Sequence, residues 1–103
     1  MIAVTVLYPN RTGARFDLNY YCEKHIPMVQ QRLGAICKRI TVEHGVAGMT
    51  PGSAPAFRVV AHIYCDSAEA FQAAFAPHAS AIMGDIPNYT DIEPTLQLSD
   101  VKI

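Results

Sequence analysis

Residues Ile2 to Tyr8 are rich in β-branched side chains and stop at Pro9-Asn10, a turn signal, so the pattern predicts a first strand. Apolar positions then recur at helical spacing from Leu18 to Leu33, with Asp17 placed as an N-cap and Gly34 as the stop. Ile36 to Val46 reads as a second strand, and the glycine- and proline-rich run GVAGMTPGSAP (45–55) as the loop after it. From Ala56 to Cys65 the chain alternates again. Phe57, Val59, Ala61 and Ile63 take one face, and Arg58, Val60, His62 and Tyr64 take the other. Asp66, with Glu69 three residues on, has capping-box spacing and is expected to open a second helix that runs to about Met83. DIPNYTD (85–91) is irregular, and Thr95 to Val101 alternates as a last strand.

The order βαββαβ is that of an α+β, ferredoxin-like domain: a four-stranded antiparallel sheet with two helices on one face. At 103 residues the chain is a single domain, 1–103. Charged residues make up 17%, where soluble domains average about 25%. A chain this small has much surface to cover, so the shortfall points to a partner, most simply a second copy docked on the uncovered sheet face. Arg58 and His62 are expected there, while His44 at a strand end is expected to meet solvent.

Net charge is −1 and the basic residues are scattered, which argues against nucleic-acid binding. No apolar run approaches the roughly 20 residues of a membrane span, and the N-terminus lacks the positive charge of an export signal. Cys22, Cys37 and Cys65 are odd in number and without CxxC spacing, as expected for reduced thiols in a cytoplasmic protein with no metal site.

On a wheel of 100° per residue, Leu18, Cys22, His25, Val29 and Leu33 share an inward arc bordered by Tyr21 and Met28, whereas Tyr20 falls on the opposite face. Pro27 has no N–H for the Glu23 carbonyl and disfavours helical geometry at Ile26, so a kink or break is expected near His25. The second helix repeats the device, with His78 on the stripe Phe71, Phe75, His78, Ile82 directly after Pro77. Two bent helices over one sheet should leave an apolar pocket with imidazoles and tyrosine hydroxyls as its few polar groups. An inward histidine beside a proline kink is equally consistent with a satisfied core residue. Asn88 and Tyr89 read as a turn that could rim the pocket, and Cys22 in an apolar stripe as an inert thiol.

The runs FDLNYYCEKHIP (16–27) and DIPNYTD (85–91) resemble the EthD family of the dimeric α/β-barrel superfamily, and the similarity extends over nearly the whole chain. The resemblance implies a homodimer whose sheets face each other and a cofactor-free pocket in each subunit. It makes His25 the leading candidate for proton transfer, with Tyr21, His78, Asn88 and Tyr89 as substrate-binding candidates. The expected activity is isomerase-, cyclase- or lyase-type proton transfer on a small apolar oxygenated compound. The alternative is a non-catalytic binding protein of an oxidative degradation pathway. An axial haem ligand role for His25, as in distant relatives with this barrel, is a third reading for which 103 residues leave little room.

Overall fold

The computed structural model describes residues 1–103. Strands β1 (Ile2–Pro9), β2 (Cys37–His44), β3 (Phe57–Cys65) and β4 (Thr95–Asp100) form one sheet in the order β2-β3-β1-β4, all pairs antiparallel. Two helical segments cover one face, 18–33 before β2 and 68–84 before β4. This is the expected ferredoxin-like α+β arrangement. The last two strands are each a little shorter at one end than their patterns suggest, and β2 starts at Cys37 because Gly34–Ile36 form a 3-10 turn.

Registered partners in antiparallel strands point to the same face. Val4, Val6 and Tyr8 of β1 therefore join Val59, Ala61 and Ile63 of β3 under the helices, and all six are buried. Leu96 and Leu98 pair with Val6 and Val4 on that same face. Both leucines nonetheless stay about two-fifths exposed. The opposite face carries a row of Thr41, His62, Thr5 and Gln97 across the four strands. There His62 contacts the Thr5 hydroxyl at 3.3 Å and Glu43 at 3.5 Å, while the buried Thr41 hydroxyl has no partner.

The first helical segment starts as expected, with the Asp17 carboxylate accepting from the Tyr20 amide. It does not break at His25. Residues Tyr21–His25 form one π-helical turn, and the Ile26 amide bonds the Tyr21 carbonyl five residues back. Ile26 itself stays helical at φ −62°, ψ −45°. Pro27 sits at the start of the α-helical stretch Ile26–Leu33, where a missing N–H costs least. The wider turn also explains the burial pattern. Tyr21, His25, Val29 and Leu33 are all buried at four-residue steps. Such a repeat drifts by about 40° per step on an ideal helix, and the extra residue in the π turn takes up part of that drift. Cys22, expected inward, is consequently turned out to solvent.

The second segment is capped by Ser67, whose hydroxyl accepts from the Ala70 amide, and not by Asp66. Asp66 instead faces Lys38 at 3.4 Å. Pro77 inserts a 3-10 turn, Ala76–His78, between the α-helical pieces Ala68–Phe75 and Ala79–Gly84. A further 3-10 turn, Ile86–Asn88, follows within DIPNYTD. No helix is long and apolar enough to cross a membrane.

Candidate functional site

One short staple places the site. Phe16 and Thr90 form an isolated antiparallel bridge, and the Asp17 amide donates to the Tyr89 carbonyl at 2.7 Å. The Thr90 hydroxyl donates to the Arg15 carbonyl, and the Asp91 carboxylate accepts from the Arg15 amide and the Arg11 guanidinium. The start of the first helical segment is thereby tied to the turn after the second, which sets residues 85–89 beside the π turn.

At that junction His25 is buried, with Nδ1 2.9 Å from Asp85 Oδ2. The other Asp85 oxygen accepts from the Tyr20 hydroxyl at 2.7 Å and from the Asn88 amide at 2.9 Å. Burial alone would raise the Asp85 pKa, but the bonds from Tyr20, Asn88 and His25 outweigh it and hold the group below the ordinary carboxylate range. Asp85 is therefore ionised near neutrality and can only accept, so His25 Nδ1 must carry the proton. Burial then lowers the His25 pKa from 6.5 despite the opposing pull of Asp85. The ring is a neutral imidazole whose Nε2 is a bare acceptor, and no protein group bonds that nitrogen.

The His25 ring stacks on Tyr21 (centroids 5.4 Å apart, planes 14° apart) and lies 4.7 Å from the ring of Tyr89. Tyr8, reaching up from β1, meets Tyr89 hydroxyl to hydroxyl at 2.6 Å. The Tyr21 hydroxyl lies beside this pair and interacts with that of Tyr8. Burial raises the pKa of all three phenols; at Tyr8 the bonds from Tyr89 and Tyr21 offset part of this, whereas Tyr8 further opposes ionisation of both neighbours. They are donors, and not sources of a free proton, near neutral pH.

These groups border a cavity of about 50 Å³ between the sheet and the helical segments. Its wall is otherwise apolar, including Val6, Val29, Phe71 and Ile82, and its rim is formed by Met83, Ile86, Pro94 and Leu96. Of the site residues the sequence suggests, His25, Tyr21 and Tyr89 line this cavity together, and Asn88 reaches it only through Asp85. His78 is not brought to it. The 3-10 turn at Pro77 rotates His78 into a surface groove, where its Nδ1 lies 3.1 Å from the Arg32 guanidinium. Tyr20, read as facing away from His25, shares Asp85 with it, because the π turn closes much of the about 140° that five α-helical steps would put between them. Asp85 and Tyr8 are the members of this candidate site that the sequence reading misses. No three His, Cys, Asp or Glu side chains converge as a metal site would require.

The model of the EthD domain family matches residues 12–93. Among solved structures, an EthD-like protein from Ralstonia eutropha JMP134 is 53% identical with a TM-score of 0.96, the match covering 99% of this chain and 92% of that one. An ethyl tert-butyl ether degradation (EthD) family protein from Bacillus halodurans C-125 is 17% identical with a TM-score of 0.67, covering 98% of both chains, and shares the fold. No curated protein matches. With the family pattern spanning most of its length and a close structural relative over nearly all of it, this chain belongs to the EthD family.

Proposed function

We propose that the protein is a cofactor-independent enzyme that moves a proton on a small, mostly apolar oxygenated compound, with His25 as the base. One observation carries the reading: a buried neutral imidazole, fixed at Nδ1 by Asp85, leaves Nε2 unpaired in an apolar cavity. A carbon acid bound there breaks its C–H bond, the proton passes to Nε2, and the electron pair moves onto the adjoining carbonyl oxygen. A tyrosine hydroxyl bonds that oxygen more strongly as its charge develops. The imidazolium formed is stabilised by Asp85, and return of the proton to another atom of the same compound completes an isomerisation. In a cyclisation the enolate carbon first attacks a second carbonyl carbon of that compound, and the proton goes to the oxygen that receives the carbonyl electron pair. Incubating candidate compounds in D2O with the wild-type protein and with His25→Ala tests the reading by mass spectrometry. Deuterium uptake or new masses that require His25 support it, and identical spectra from the two proteins contradict it.

A second reading, a non-catalytic binding protein for an oxidative degradation pathway, draws on the phenols. Their raised pKa values suit hydrogen bonding to a ligand but not delivery of a proton to a leaving group. Retention of a ligand without any chemical change would favour it.

The open sheet face with its polar central row is proposed to be covered by a second copy of the chain. The low share of charged residues, 17%, supports such a covered face. A solution mass of twice the 11.3 kDa chain supports this, and a monomer at high concentration contradicts it.

A further inference from the structure

Of the polar groups lining the cavity, His25 bonds protein only through Nδ1, and the Tyr21 hydroxyl has no protein neighbour to bond other than Tyr8. An apolar chamber bordered by a free ring nitrogen and a phenol with a proton to spare suits a ligand that bonds them. The charge around them limits what that can be. No lysine or arginine lines the cavity, and the titratable groups facing it are His25, Tyr8, Tyr21 and Tyr89. The nearest formal charge is the Asp85 carboxylate behind His25. A carboxylate ligand would enter an apolar wall without a cation to meet it and with a negative charge one residue away, which is strongly disfavoured.

The phenols supply the complementary feature. Tyr8 and Tyr89 share one hydrogen bond at 2.6 Å, and a line of three hydroxyls closes at most two bonds with its three protons. At least one O–H is left to donate, and bonding along such a line polarises it toward an acceptor.

From this arrangement we infer that the cavity selects uncharged ligands of no more than about one ring that carry a carbonyl-type oxygen, and excludes carboxylates of the same shape. The oxygen sits on the tyrosine hydroxyls and the adjoining carbon lies toward His25 Nε2. Size sets the upper bound. A cavity of about 150 Å³ accepts benzene, so a one-ring ligand needs this smaller space to widen. Met83 on the rim, 43% exposed, is a flexible side chain able to yield. The inference rests on the proposed function only in placing the ligand in this cavity, and its test does not require turnover.

Isothermal titration of the wild-type protein with acetophenone, toluene and benzoate, matched one-ring probes, tests it. Acetophenone is expected to bind several-fold more tightly than toluene, and benzoate to bind at least about a hundredfold more weakly than acetophenone. Tyr21→Phe is expected to abolish the preference for acetophenone over toluene while the thermal midpoint shows the variant folded. Benzoate binding as tightly as acetophenone would overturn the selectivity while leaving the cavity as a site for proton transfer. Binding of none of the three would overturn both. A Tyr21→Phe protein that keeps the full preference would remove the hydroxyl from the inference.

Discussion

His25 and Asp85 lie 60 residues apart in the chain, yet Nδ1 and Oδ2 are held 2.9 Å from each other at the junction of the π turn and the end of the second helical segment. The carboxylate fixes which nitrogen carries the proton, and thus which nitrogen faces the cavity. Asp85 acts through His25 and is a positioning residue.

Asp85→Asn should therefore reduce any His25-dependent reaction by on the order of a hundredfold or more, with the loss in kcat and little change in KM. It should also lower the His25 pKa further, since Asp85 now opposes the effect of burial. A pH profile whose acid limb moves down in the variant separates this positioning role from a merely structural one, which would leave the limb in place.

Stability should respond to the same pair in acid. The folded-state pKa of His25 lies below its ordinary 6.5, so the unfolded chain binds this proton first as pH falls. Stability contributed by the neutral ring is present above 6.5 and is lost as pH drops from there to the folded-state value. Asp85, with its own pKa held below 3.8, adds a second loss at lower pH. Urea titrations between pH 7.5 and 4.5 should show declining stability in the wild type and a flatter dependence in His25→Gln.

How much of this was legible in the sequence depends on where the helix is regular. From His25 to Leu33 the inward stripe is right because Ile26–Leu33 is α-helical and in phase with the core. N-terminal to His25 a wheel of 100° per residue fails and puts Cys22 and Tyr20 on the wrong sides, because the π turn adds a residue. Pro27 signals an irregular helix but not whether it breaks or widens. Tyr8 could have been found, since alternation puts it on the same face as Val4 and Val6. Asp85 had a fainter signal, an acidic residue at a helix C-terminus where a negative charge is ordinarily unfavourable. Its distance from His25 in the chain, and the staple that cancels that distance, have no mark in any local pattern.

The π turn gives a prediction of its own. Pro27→Ala restores an N–H that can reach the Glu23 carbonyl and so favours a regular α-helical ladder. The variant should be as stable as the wild type or more so in thermal melts. Returning the turn to α geometry moves Tyr20 and Tyr21 relative to His25, and His25-dependent deuterium exchange should fall at least about tenfold. Unchanged exchange would mean the widened turn has no part in the chemistry.

The buried phenols couple energetically. Tyr8→Phe and Tyr89→Phe each leave one hydroxyl without its partner, at an expected cost of about 1–3 kcal/mol in urea denaturation. The double variant removes both hydroxyls and should lose less than the sum of the two single changes. Strict additivity would show that the 2.6 Å contact contributes nothing to stability.

Nitrogen NMR of the His25 ring at pH 7 tests the central claim most directly. A protonated Nδ1 and a bare Nε2, unchanged until the pH falls below 6.5, is the expected spectrum. A doubly protonated ring at pH 7, or a proton on Nε2 with Nδ1 bare, would contradict it, because neither form offers the cavity a base.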